Sequence, residues 1–213
     1  TIYTAILKSS NVSPPLWRGG REGAISPPNP LPSFRNQHLF SLPNLYKHNI
    51  LNYNQTTITS MLTIGDKMPA FCVADQNGNI VTNQQLIGKK SVIYCYPKDS
   101  TPGCTAEACS LRDNYEPLKL QGYEVVGVST DSEASHRKFI DKHNLPFTLI
   151  ADTDKTLVQQ MGVWGEKSMY GRKYMGTFRT TFIINEEGVI EKVFTPKEIK
   201  TKTHAEQILQ ANS

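Results

Sequence analysis

SVIYCYPKDSTPGCTAEACSLRD, residues 91–113, passes from an apolar run through a proline turn into a segment of helical composition, and it carries two of the chain's four cysteines five positions apart. SVIYCY has the length and the apolar, β-branched and aromatic content of a buried strand, and Pro97 ends it. Pro102 suits the first position of a helix, where the amide hydrogen it lacks has no intrahelical partner, and Thr101 or the residues just before it serve as cap. Cys104 then falls in the first helical turn, where free amides and the helix dipole favour thiolate over thiol. Cys109 lies one and a half turns on. Five residues of ideal helix separate two Cα atoms by about 8 to 9 Å, and a disulfide tolerates about 7 Å at most. The pair therefore closes only if the first turns unwind.

Outward from this stretch the pattern stays regular. PAFCVADQNGNIVT places apolar residues on both sides of Gln76-Asn77-Gly78-Asn79, a hairpin signal because Asn-Gly accepts the positive φ of tight turns. TAEACSLRDNYEPLKLQG carries Ala106, Leu111, Tyr115, Leu118 and Leu120 at near-helical spacing and stops at Gly122. YEVVGVST reads as a strand, SEASHRKFIDKHN as an amphipathic helix opened by Ser132, PFTLIAD as a strand, and TDKTLVQQMGV as a helix closed by Gly162. RTTFIIN and GVIEKVFT flank Glu186-Glu187-Gly188 as a terminal hairpin, and HAEQILQANS is a last helix. This is an α/β order with a mixed sheet, parallel in the middle and antiparallel at one edge, flanked by helices and preceded by an N-terminal hairpin. The cysteine window lies at the C-terminal end of the first central strand, where open α/β sheets place their sites.

Composition narrows the function classes. Residues 1–60 hold Lys8, Arg18, Arg21, Arg35 and Lys47 against Glu22, so the net charge of +4 resides there and the rest is balanced, which argues against nucleic acid as a partner. The same residues are rich in proline and glycine and lack periodicity, so they are expected to be a disordered extension, upstream reading frame or targeting segment, with one folded domain over 61–213. No apolar stretch is long enough to span a bilayer and no secretory pattern opens the chain, so no membrane is expected and a cytoplasmic location is. Four cysteines are too few for a disulfide scaffold, which leaves reduced thiols with one reactive pair. No metal or cofactor is expected. His136 and His143, seven apart, have no accompanying carboxylate or cysteine cluster, no cysteine-histidine couple is visible, and no glycine-rich loop has nucleotide-binding spacing. Cys72 and Cys95 read as buried and inert, Glu107 as a surface helix residue, and Arg112 as a solvated partner of Asp113 and Glu116.

Pro97-x-x-x-Thr101-x-x-Cys104 resembles the active-site pattern of peroxiredoxins, and YPKDSTPGCTAEAC resembles the bacterioferritin comigratory protein/PrxQ subgroup. The likeness runs from about Met61 to the last helix and includes AFCVADQNG, GVST, FTLIAD and GVWGEKSMYGRKYMGTFRTTFIIN, in order and spacing. It implies a thioredoxin-like fold and a thioredoxin-dependent peroxidase acting on hydrogen peroxide or organic hydroperoxides as a monomer. By the same resemblance Cys104 attacks the peroxide and becomes a sulfenic acid, Thr101 holds sulfur and peroxide, and Arg179 stabilises the thiolate and the leaving oxygen. Pro97 shields the sulfur, and Cys109 resolves the sulfenic acid as an intramolecular disulfide reduced by thioredoxin or a similar dithiol. The rival reading is a dithiol-disulfide oxidoreductase or redox-sensing module using the same pair. Such enzymes prefer C-x-x-C to the C-x-x-x-x-C found here.

A chain beginning at Met61 is expected to keep full peroxide consumption and thermal stability. Loss of either on truncation would show that residues 1–60 contribute to the folded protein.

Overall fold

The structure is a computed structural model and describes residues 60–169 and 171–211; apart from Ser60, the expectations for residues 1–60 lie outside the described residues. Its elements in chain order are β1 (Cys72–Ala74), β2 (Ile80–Thr82), a 3-10 turn (Asn83–Gln85), β3 (Lys90–Cys95), α1 (Pro102–Asp113), α2 (Tyr115–Leu120), β4 (Tyr123–Ser129), α3 (Glu133–His143), β5 (Thr148–Ala151), α4 (Thr156–Gln160), β6 (Trp164–Met169), β7 (Arg172–Thr177), β8 (Thr180–Ile184), β9 (Ile190–Phe194) and α5 (His204–Gln210). A five-stranded sheet runs β5-β4-β3-β8-β9. β3, β4 and β5 are parallel, and β8 joins β3 and β9 antiparallel. The change of sense therefore falls on β3, the middle strand, and the parallel half extends to the opposite edge.

The apolar run of β3 is explained by burial on both faces. Val92, Tyr94 and Tyr96 join Val125 of β4, Ile183 of β8 and the apolar sides of α1, α3 and α5 in one core. Ile93 and Cys95 point the other way, to Val126, Val128, Phe182, Ile184 and the helix α4. The period of two along each strand thus separates two cores across one sheet. β1 and β2 form the expected hairpin, with Asp75 Oδ1 accepting from the amides of Asn77 (2.7 Å) and Asn79 (2.9 Å) and Gly78 at φ 80°. Ser132 caps α3, its Oγ accepting from Ser135 N at 3.3 Å.

In its elements the structure departs from the sequence reading at two places. The helix expected through Gly122 breaks at Asn114 into α1 and α2. Pro117 explains the break, because inside a continuous helix it would remove one bond and clash with the preceding turn, whereas as third residue of α2 its missing amide hydrogen has no partner to lose. Leu120, placed on the buried stripe by spacing, is 87 % exposed as a consequence. Residues 164–177 form an antiparallel hairpin, β6-β7, that the sequence reading did not contain. Among the described residues no helix is long and apolar enough to cross a membrane.

β4 passes close beneath the aromatic layer of β3. A Cβ built on Gly127 would stand 2.5 Å from Leu149 Cδ2 and 2.8 Å from the ring and hydroxyl of Tyr94. Gly127→Ala is expected to destabilise the domain by about 1–3 kcal/mol through overpacking. Chemical denaturation measures this, and a neutral result would show that the layer has room to shift.

Candidate active site

Before a helix can present a thiol, the loop that launches it has to be fixed. Here the loop between β3 and α1 is held by the carboxylate of Asp99, which is 6 % exposed. Its Oδ1 accepts from the Tyr96 hydroxyl at 2.7 Å, its Oδ2 accepts from Ser135 Oγ at 2.7 Å and faces His136 Nδ1 at 2.9 Å, and its amide donates to Asp131 Oδ2 at 2.8 Å. The other nitrogen of His136 faces the carbonyl of Ile150 at 3.1 Å. Burial works to raise the Asp99 carboxyl, but the bonds from His136, Ser135 and Tyr96 hold it below its ordinary value. Strands β3 and β5 and helix α3 are thereby tied to one loop residue.

The chain then turns through Ser100, at φ 58°, into an extended Thr101 and the first helical residue, Pro102. Thr101 is the cap by position, yet its hydroxyl donates to Lys98 O at 3.0 Å and its oxygen accepts from no helix amide. Its oxygen lone pairs remain available to accept. Pro97 is half-buried between the strand end and this turn.

Cys104 is the third residue of α1 and 2 % exposed. Arg179, in the link between β7 and β8, reaches across the first turn and donates from Nη2 to Cys104 Sγ at 3.2 Å. Gly103 leaves the room for it, since a Cβ there would stand 3.2 Å from the same nitrogen. The other guanidinium nitrogen, Nη1, donates to Glu107 Oε2. Glu107 was expected on the surface and is fully buried instead, because it follows Cys104 by three residues and so shares the helical face that packs against Arg179. Its second oxygen, Oε1, has no hydrogen-bond partner among the described residues. Burial pushes the Glu107 carboxyl up to about 7, against the opposing pull of Arg179. Lys167 of β6 stands near as a second cation; burial first, then the charge of Arg179, lower its pKa, and the Cys104 charge acts the other way.

Cys109 lies on the same unbroken helix, and the structure holds both cysteines as free thiols. A cysteine-histidine couple that the sequence did not show is present here: Cys109 Sγ is 4.0 Å from His143 Nδ1. Arg112 pairs with Asp113 as expected, and its Nη1 also donates to His143 O at 2.7 Å. His136 and His143 thus serve different neighbours, Asp99 and Cys109. Cys95 is buried and its thiol pushed far up by burial, while Cys72 is only half-buried rather than enclosed.

The AhpC/TSA family pattern matches residues 64–193. A putative peroxiredoxin Bcp of Coxiella burnetii is 45 % identical over 148 residues, which cover 70 % of this chain and 97 % of that protein. The peroxiredoxin Bcp of Escherichia coli K12 is 43 % identical over 148 residues, covering 70 % and 94 %. A structure of the bacterioferritin comigratory protein of Xanthomonas campestris, from work on its alkyl peroxide reduction activity and its trapped intermediate/ligand complexes, superposes with a TM-score of 0.62 at 34 % identity over 66 % of this chain and 88 % of that one.

The raised carboxyl of Glu107 makes a thermodynamic prediction. A group that binds its proton more tightly when folded contributes stability that is full below its unfolded value and is lost as pH rises through its folded value. Stability should therefore fall between the ordinary 4.5 and about 7 from this residue, and Glu107→Gln should flatten that part of the profile. Thermal unfolding across this range gives the answer; equal slopes for parent and variant would place the proton elsewhere.

Proposed function

The chain belongs to the AhpC/TSA family as a Bcp/PrxQ peroxiredoxin, a peroxidase of the oxidoreductase class, and we propose that it works through a sulfenic acid on Cys104 and an intramolecular Cys104–Cys109 disulfide reduced by thioredoxin or a similar dithiol. Hydrogen peroxide and organic hydroperoxides are the substrates of this reading. The observation that carries it is the Arg179 guanidinium 3.2 Å from a buried cysteine sulfur in the first turn of a helix. A fixed cation and the free amides of that turn both favour the thiolate.

The thiolate of Cys104 attacks one peroxide oxygen, the O–O bond breaks, and the departing oxygen leaves as water or alcohol after taking a proton. Negative charge moves from sulfur to the leaving oxygen during this step, and Arg179 is placed to follow it without reorganising. Glu107 positions Arg179. A protonated Glu107 still accepts its hydrogen bond but does not neutralise the guanidinium, so the full positive charge faces the sulfur. Thr101, whose hydrogen is committed to Lys98 O, accepts from the peroxide hydroxyl. Pro97 keeps bulk water from the sulfur. Cys109 then attacks the sulfenic sulfur after the first turns of α1 open, since the intact helix holds the two residues too far apart. A dithiol-exchange role for the same pair leaves Arg179 and its buried partner without a task.

Cys104→Ser is expected to abolish peroxide consumption, and Arg179→Ala to keep the fold while slowing the first step by about a hundredfold or more. After one equivalent of peroxide, peptide mapping of the parent should give a monomer with a Cys104–Cys109 link. Near-normal turnover of Arg179→Ala, or a link from Cys104 to Cys72, to Cys95 or to a second chain, would overturn the assignment.

A further inference from the structure

We propose that His143 is the base that removes the proton from the Cys109 thiol before α1 opens toward Cys104. The inference rests on the reading of Cys109 as the resolving cysteine and adds a residue to that step.

Geometry carries it. His143 is the last residue of α3, and its Nδ1 lies 4.0 Å from Cys109 Sγ across the gap between α3 and α1. The ring is held in place by Phe139, one turn back, against which it packs edge-on with centroids 5.1 Å apart. The backbone on which the ring is mounted is held too, because Arg112 Nη1 donates to the His143 carbonyl at 2.7 Å. Base and thiol are therefore registered by a contact from the helix of the thiol to the backbone of the base. The groups facing this pair are Arg112 with its partner Asp113 on α1, Lys142 on α3, and Tyr94 on β3.

Charge keeps the base unprotonated at rest, and the same cations weaken its hold on a proton, so the proton is passed on rather than kept. Burial, then the charges of Lys142 and Arg112, lower the His143 pKa below its ordinary 6.5, so at neutral pH the ring is neutral and its Nδ1 lone pair can accept a proton in the tautomer that carries hydrogen on Nε2. Arg112 keeps its charge: its bond to Asp113 raises it first, desolvation opposes this, and Cys109 adds charge attraction and a hydrogen bond. A thiolate formed at Cys109 has a cation beside it.

The step balances. His143 Nδ1 takes the S–H proton, and the Cys109 thiolate attacks the sulfur of the Cys104 sulfenic acid. The S–S bond forms and the S–O bond breaks. Hydroxide leaves and takes up the proton as water, so the electron pair of the thiolate has reduced the sulfenic sulfur. Deprotonation occurs while Cys109 is still on the folded helix, where the base is in reach. The opening of α1 then delivers a nucleophile rather than a thiol.

The test uses the full chain oxidised by one equivalent of peroxide, with the lifetime of the Cys104 sulfenic acid followed by trapping with a dimedone-type probe and mass spectrometry over a range of pH. Cys109→Ser should leave the sulfenic acid standing. His143→Gln should slow its disappearance about tenfold or more at neutral pH, with the gap closing as pH rises and hydroxide replaces the missing base. In the parent the rate should fall only as pH drops through the His143 value, below 6.5. If Cys109→Ser resolves as fast as the parent, the resolving role of Cys109 fails and the proposal with it. If Cys109→Ser stalls while His143→Gln keeps the parental rate, or is slowed equally at every pH, the resolving role stands and His143 is not its base.

Discussion

The carboxylate of Asp99 has little choice of position. It is buried, it accepts from Tyr96 and Ser135, and it faces His136, whose other nitrogen faces the backbone of β5. A buried charged group is tolerated only when such partners replace water, so loss of any one of them leaves a costly unpaired acceptor. The consequence is that the end of β3, the start of α3 and the loop before α1 cannot move independently. The first residue of α1 is set by this cluster, and with it the direction in which Cys104 points.

On that fixed helix the Cys104 sulfur and a second carboxyl, Glu107, both meet the guanidinium of Arg179. Burying an arginine against a glutamate costs both partners their hydration, and the cost is smallest when one of them is neutral. Burial raises the Glu107 carboxyl to about 7, so around neutral pH the pair titrates between its ionised and its neutral-glutamate form. In the latter form the arginine is left with hydrogen bonds on two sides and its charge directed at one, the sulfur. When Glu107 carries its proton, the pair positions a cation without cancelling it.

The same helix has two opposed requirements. Its first turn must be rigid enough to hold Cys104 under Arg179, and on the proposed route it must also release both cysteines. The break at Asn114 and the Arg112 contacts to Asp113 and His143 close the helix at its far end, while its cap residue makes no side-chain bond to the first amides. The first amides thus have no side-chain cap to lose when the helix opens, and the contacts that opening must break are those of Arg179 to Cys104 and Glu107.

Local order was legible in the sequence. SVIYCY, ended by Pro97, gave a buried strand; Pro102 gave a helix start; Asn77-Gly78 gave the hairpin; and these rest on backbone preferences that act within a few residues. The first-turn location of Cys104 followed from them, and blocks of resemblance supplied Arg179. What the sequence did not yield are the encounters between residues distant along the chain: Arg179 with Glu107 across 72 positions, His136 with Asp99 across 37, and His143 with Cys109 across 34. Spacing along one helix put Glu107 on the face of Cys104 but could not say whether that face met water or another element. The strand order β5-β4-β3-β8-β9 decides it, because it brings the β7–β8 link over α1 and lays the end of α3 against α1's middle. Periodicity therefore fixed which residues point together from one element, and only the packing of elements fixed what they point at.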